Sequence, residues 1–327
     1  MNKTTSGWML AMIAALSGAA VWAASGIDCR SNIGSHHRLR HPGAASPTPT
    51  PTPINGGELP VVSPDGVHIA FVSNRGGDDD LYVIGSNGTG EIQLTRAPGF
   101  ENPLAWTADG KQLLSSLGTN EGTRIVAIGL DGKNQRDLGS VPGRTQSISP
   151  NRKQVLYMAG TWTSMHLMES ALDGSQAQAI TDGTSIAWNS DWSPDGKLIA
   201  FTSRNDPLGD LAIFVMNADG SARHQVSNFA AGHSNAQWPR WSPDGRSLAI
   251  QVNSRTLKGD SNIWIIDANT GAGKKLTSHD QPYLDETPSW FPDGKRLAFH
   301  SNRTGRLEVW VMNVDGSEQT QVTGLKR

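Results

Sequence analysis

The chain has 327 residues, 36% hydrophobic and 18% charged, with 36 glycines, 18 prolines and a single cysteine. That is too apolar for wholesale disorder, and one cysteine excludes an internal disulfide framework and a Cys-based zinc site. A net charge of −2 excludes a general electrostatic pull toward nucleic acid or anionic lipid.

Lys3 precedes an apolar run from Trp8 to Ala24 that ends in small residues, the order of a secretory signal peptide spanning residues 1–23 and cut after Ala23. The alternative is an uncleaved anchor, although the run falls short of the roughly 20 residues a span needs. Cys29 follows Ile27-Asp28, without the small residue that lipidation requires. Residues 24–57 contain His36, His37 and His41, then alternating Pro and Thr from Pro47 to Pro53. Such a stretch favours extended polyproline II and reads as a semi-rigid linker. Export predicts a periplasmic or secreted protein with no stable membrane insertion after cleavage.

Beyond the linker a repeat organises the chain. Ser63-Pro-Asp-Gly66 returns as Trp192-Ser-Pro-Asp-Gly196, Trp241-Ser-Pro-Asp-Gly245 and Trp290-Phe-Pro-Asp-Gly294. Weaker copies are Trp106-Thr-Ala-Asp-Gly110 and Ile148-Ser-Pro-Asn-Arg152. The aligned positions 65, 109, 151, 195, 244 and 293 are 42 to 49 residues apart, within the about 40–50 residues of a four-stranded propeller blade.

Each unit predicts four strands. A first strand ends at the Pro-Asp-Gly turn, where Pro presets φ, Asp bonds nearby backbone and Gly accepts positive φ. Second strands are Ile69-Ala-Phe71, Ile199-Ala-Phe201, Leu248-Ala-Ile250 and Leu297-Ala-Phe299; third strands are Leu81–Ile84, Ile213–Met216, Ile263–Ile266 and Val309–Met312. Fourth strands end in Leu94-Thr95, Ile180-Thr181, Val226-Ser227, Leu276-Thr277 and Val322-Thr323. Residues 58–327 therefore predict an all-β fold, a six-bladed β-propeller of four-stranded antiparallel blades. Trp106, Trp192, Trp241 and Trp290 share one repeat position and are expected to pack between blades. Arg152 stands where φ should be positive, so blade 3 is expected to be the weakest. No shared strand is evident to latch blade 6 to blade 1.

These units, together with Ser73-Asn-Arg75 and Ser301-Asn-Arg303, resemble the PD40 repeats of the TolB family over about residues 58–327. The resemblance implies a periplasmic, protein-binding propeller. Its partner would be an envelope protein, such as a lipoprotein of the peptidoglycan-associated (Pal) kind. The family's N-terminal α/β domain is expected to be replaced here by the linker.

Two enzymatic classes also use propellers of this kind. A prolyl-oligopeptidase-type peptidase needs a Gly-x-Ser-x-Gly elbow, and Gly183-Thr-Ser-Ile-Ala187 lacks its second glycine. A propeller lyase resembling oligogalacturonate lyase would hold a metal with histidines. His68, His166, His224, His233, His279 and His300 share no phase and no ligand spacing. Asp78-Asp79-Asp80 lacks the spacing of a calcium loop. The expectation is a monomeric, non-enzymatic protein without catalytic residues, metal or cofactor, and with no nucleic-acid partner. The alternatives kept are the lyase and a cell-wall glycan-binding module.

The uniform turns fall on one rim of an up-and-down propeller and the variable connections on the other, where binding is usually carried. That rim predicts a partner-binding set of Glu58, Glu101, Asn102, Arg144, Trp162, Trp188, Gln237, Trp238, Tyr283, Asp285 and Glu286. Six of these, Glu58, Asn102, Arg144, Trp188, Gln237 and Glu286, share one repeat position and are expected to ring the funnel mouth. Residues 1–53 hold four basic residues and one acidic, leaving 24 basic and 29 acidic in the remainder, net −5. An acidic mouth built on Asp285 and Glu286 is therefore expected to steer a basic partner loop.

Overall fold

The computed structural model describes residues 56–325 except 97–98, 120–121, 162–163, 206–208, 230–232 and 255–258. The readings on the signal peptide, nearly all of the linker, and Trp162 lie outside the described residues. Blade 1 is β1 (Glu58–Val62), β2 (His68–Ser73), β3 (Asp80–Gly85) and β4 (Ile92–Gln93). Blade 2 is β5 (Glu101–Trp106), β6 (Gln112–Thr119), β7 (Gly122–Gly129) and β8 (Gln135–Val141). Blade 3 is β9 (Arg144–Ile148), β10 (Gln154–Thr161), β11 (Ser164–Ala171) and β12 (Gln178–Ala179). Blade 4 is β13 (Ala187–Trp192), β14 (Leu198–Ser203), β15 (Ala212–Asn217) and β16 (His224–Gln225). Blade 5 is β17 (His233–Trp241), β18 (Ser247–Ser254), β19 (Ser261–Asp267) and β20 (Gly273–Lys275). Blade 6 is β21 (Asp285–Trp290), β22 (Arg296–Ser301), β23 (Glu308–Asn313) and β24 (Thr320–Gln321).

Every sheet is an antiparallel meander of four consecutive strands. The first strands β1, β5, β9, β13, β17 and β21 touch one another in cyclic order, so they form the innermost ring of a six-bladed propeller. Among the described residues no strand is exchanged between blades, and the seam between blade 6 and blade 1 is made by packing, side chains and the backbone bonds of Gly56 and Gly57 to the Leu307 carbonyl.

Local chemistry explains why the turns repeat. Asp65 Oδ1 accepts from the Ser63 hydroxyl and the Val67 N–H, Ser63 Oγ accepts from the His68 N–H, and the Gly66 N–H closes the turn on the Ser63 carbonyl. The same self-contained network recurs at Ser193–Asp195 and Ser242–Asp244, and with Thr107–Asp109 and Ser149–Asn151. Gly66 sits at φ 71°, which glycine adopts without a Cβ clash. Arg152 takes this conformation at φ 61°, as its place in the repeat requires. Its side chain donates to the Trp106 carbonyl from Nε (2.8 Å) and to the Ser149 carbonyl from Nη1 (3.1 Å), which offsets backbone strain.

The fourth strands have a second repeated device. Just past the fourth strand, a Thr or Ser hydroxyl accepts a backbone N–H from the first half of the third strand: Thr95 from Leu81, Thr181 from Leu167, Ser227 from Ile213, Thr277 from Ile263 and Thr323 from Val309. The hydroxyl is short enough to reach a neighbouring backbone donor that the brief fourth strand leaves open. Between blades the core is apolar. Trp106, Trp192 and Trp241 are buried among Leu, Ile and Val from adjacent blades, while Trp290 is half-buried and donates to the Arg240 carbonyl. No helix among the described residues is long and apolar enough to cross a membrane.

Candidate binding funnel

The first strands are not regular. Each pairs with its neighbour through a register break, between Glu58 and Val61, Pro103 and Ala105, Trp188 and Asp191, Gln237 and Arg240, and Glu286 and Ser289, with blade 3 broken at Leu156/Tyr157 on the partner strand. The extra residue sits in the left-handed region at Leu59 (φ 52°), Asn189 (48°), Trp238 (53°) and Thr287 (49°). A β-bulge of this kind re-aims side chains and recurs near binding sites. For a bulky residue such as Trp238 it is an outlier held by its surroundings. No glycine marks these positions in the sequence, which is why they escape a reading based on turn signals.

The partner-binding set expected on this rim is only partly presented to solvent. Glu58, Glu101, Asn102, Asp285 and Glu286 are 4%, 2%, 9%, 0% and 1% exposed. This corrects the expected acidic mouth, because neighbouring elements take up the carboxylates. Asp285 lies between His279 Nε2 and Arg303 Nη2, each at 2.7 Å. Burial opposes its charge, but the hydrogen bond from His279 and the Arg303 guanidinium outweigh burial and hold the carboxyl below its usual range. Glu286 accepts from Gln251 Nε2 and the Ser261 hydroxyl at 2.9 Å each and faces His300 Nε2 at 3.3 Å. Glu101 accepts from the Leu81 N–H at 3.1 Å and from the Thr95 hydroxyl. Its burial wins over those bonds and pushes its pKa up to about 7.

Arg144, Trp188, Gln237, Trp238 and Tyr283 are half-buried and remain in reach of a ligand. Tyr283 meets His279 edge-on at 5.2 Å. Arg240, which the sequence reading passed over, has its guanidinium 6.0 Å from the Trp238 ring and 3.7 Å from Asp191. Asp191 also accepts the Trp241 N–H at 2.9 Å; burial raises its pKa against the charge of Arg240. Gln146 bridges the ring, accepting the Asn189 N–H at 2.7 Å while its amide donates to the Thr145 carbonyl. The alternation of Arg, Asp and Gln along first strands could have flagged these residues, since packing between blades does not need them.

Among the described residues the histidines do not converge. His300 serves Leu59, Thr287 and Glu286, His279 serves Asp285, and His68 lies beside Trp106. Among the described residues no group of three or more His, Cys, Asp or Glu is placed to hold a metal ion.

Comparison with known proteins fits this architecture. The model of the TolB beta propeller domain matches residues 159–326. Dipeptidyl-peptidase 5 of Porphyromonas gingivalis is 25% identical over 334 residues, covering 80% of this chain and 47% of that protein. The uncharacterized peptidase YuxL of Bacillus subtilis is 27% identical over 188 residues, 47% of this chain and 27% of its own length. An uncharacterized protein of Agrobacterium fabrum, Atu1656, is 31% identical over 132 residues, 40% of this chain and 41% of its own. The chain thus spans less than half the length of these curated relatives. Among solved structures, TolB from Acinetobacter baumannii superposes with a TM-score of 0.63 at 20% identity, covering 82% of this chain and 63% of that one. An oligogalacturonate lyase in complex with manganese gives 0.57 at 17% (82% and 77%). A puromycin-hydrolyzing peptidase of Mycobacterium tuberculosis gives 0.56 at 14% (82% and 53%). These likenesses show the fold. The sequence relatives named as peptidases overturn the expectation that enzymatic chemistry can be set aside for this chain.

Proposed function

The chain belongs to the TolB β-propeller family, and on that premise we propose that its propeller is a protein-binding scaffold that receives a polypeptide segment at the ring of first strands. The observation that carries this reading is the half-buried array of Arg144, Trp188, Gln237 and Trp238 on three consecutive first strands, with Trp238 held in the left-handed region. Tryptophan and arginine on a rigid frame are the residues that dominate protein interfaces when desolvated by a partner. Export by the signal-peptide-like N-terminus supports a partner in the cell envelope, a Pal-like lipoprotein being the first candidate. Affinity capture from envelope extract tests it. The same protein should be recovered by the wild-type chain and lost with Trp188→Ala plus Trp238→Ala; equal recovery by the double variant overturns the reading.

A second reading rests on the alignment of dipeptidyl-peptidase 5 across 80% of this chain: the propeller presents polypeptide to peptidase chemistry. Dipeptidyl chromogenic substrates separate the two. Hydrolysis that follows the chain through orthogonal purification steps assigns the chemistry to it.

A further inference from the structure

We propose that Arg144, seated over the ring of Phe100, is a carboxylate-binding subsite of the first-strand ring, so that the segment received there is acidic; this deepens the protein-binding reading above and rests on it. The six first strands carry seven side chains with carboxylate or guanidinium groups: Glu58, Glu101, Arg144, Asp191, Arg240, Asp285 and Glu286. Four of the five carboxylates are 4% exposed or less and are withdrawn between the blades. The fifth, Asp191, is taken by Arg240 and the Trp241 N–H. Arg144 is left over.

Among the described residues its guanidinium has no hydrogen-bond or ion-pair partner. Its side chain meets the Phe100 ring, 4.7 Å from the guanidinium carbon, while its backbone pairs with Met158 of β10 and its carbonyl accepts from Gln146 Nε2. Burial alone moves its pKa down to about 10, with no nearby carboxylate opposing the shift. The group therefore stays charged at neutral pH while partly withdrawn from water. Buried charges are ordinarily paired, because desolvation without a counter-charge is costly. Five N–H donors in a planar fork match a carboxylate in two parallel bonds. An aromatic face beside the guanidinium orients the fork without consuming a donor. The expected basic partner is thereby replaced by an acidic one.

The test uses the full chain and calorimetric titration with four probes: a capped hexapeptide with one central glutamate, its glutamine counterpart, the glutamine peptide with a free C-terminal carboxylate, and trigalacturonate. Wild type should bind at least one carboxylate-bearing peptide tenfold or more tighter than the capped glutamine peptide. Whichever peptide wins identifies a side-chain or a terminal carboxylate. Arg144→Gln should abolish that preference, and Arg144→Lys, which keeps the charge and loses the fork, should retain part of it; circular dichroism verifies that both fold. An undiminished preference in Arg144→Gln overturns the subsite and leaves the protein-binding reading standing. Equal wild-type affinity for the glutamate and both glutamine peptides overturns the carboxylate chemistry. Binding of trigalacturonate alone, or of none of the four at millimolar concentration, overturns the subsite together with the reading beneath it.

Discussion

The backbone N–H of Leu59 donates to Nδ1 of His300 across 3.3 Å, joining the first blade to the last. Around this contact the Val62 N–H donates to Ser289 Oγ, and the N–H groups of Gly56 and Gly57 converge on the Leu307 carbonyl. Phe71 and Tyr82 pack against Phe291, Val309 and Val322 behind it. Among the described residues no strand crosses this seam, and these contacts hold the ring together there.

His300→Ala leaves the Leu59 N–H without its acceptor inside the core and removes a partner of Thr287 and Glu286. The expected cost is about 1–3 kcal/mol by chemical denaturation. Gly57→Val should cost more, because even a Cβ would meet Val309 Cγ2 at 2.9 Å and Phe71 at 3.0 Å. In both variants hydrogen exchange should quicken first in β1 and β23. Uniform acceleration over all six blades would show that the seam is not the weak point.

Glu101 makes stability depend on pH. Its folded pKa of about 7 lies above the unfolded value, so the folded state holds the proton between about pH 4.5 and 7 while the unfolded state has released it. Stability from this group is therefore greatest below pH 4.5, falls as pH rises through that window and is level above it. The fall is on the order of 3 kcal/mol. Glu101→Gln keeps a carbonyl oxygen to accept from Leu81 and Thr95 and should flatten the profile, with its largest gain at pH 8. A profile parallel to wild type in denaturant midpoints from pH 4 to 8 would contradict this.

What the sequence reveals follows the range of the interactions. The Ser-Pro-Asp-Gly turns are legible because the partners of Ser63, Asp65 and Gly66 all lie within five residues. The fate of the carboxylates is not. Glu286 is satisfied by Gln251 and Ser261, 35 and 25 residues away, and Asp285 by Arg303, 18 residues on. Repeat alignment puts Glu286 and Arg144 in one phase but cannot show which meets a partner from the next blade. The bulges at Leu59, Trp238 and Thr287 were equally hidden, since Leu, Trp and Thr carry no signal for positive φ.

Asp285→Asn with Glu286→Gln, which an exposed acidic mouth would tolerate, is now expected to destabilise the fold. Removing the charge of Asp285 leaves Arg303 facing an amide, and uncompensated buried charge costs about 3–5 kcal/mol when a partner is removed outright. An isosteric amide should cost somewhat less. Asp285 has a depressed pKa, so its contribution is present above the ordinary carboxylate range and is lost as pH falls through its lower folded value. The gap between wild type and Asp285→Asn should accordingly be full at pH 7 and close only in strong acid. A melting temperature unchanged at pH 7 would return these residues to the surface role first expected of them.

Arg152 separates backbone strain from side-chain contact. A non-glycine residue at positive φ costs about 1–2 kcal/mol, and Arg152→Gly relieves this. The same change removes the bonds from its guanidinium to the Trp106 and Ser149 carbonyls, and hydrogen bonds to charged groups contribute about 1.5–3 kcal/mol each when sheltered. The contacts outweigh the strain, so Arg152→Gly should be modestly less stable than wild type. Arg152→Ala, which keeps the strain and loses the contacts, should be the least stable of the three. Equilibrium denaturation gives the order directly. A glycine variant more stable than wild type would mean that the contacts to Trp106 and Ser149 contribute less than the strain they accompany.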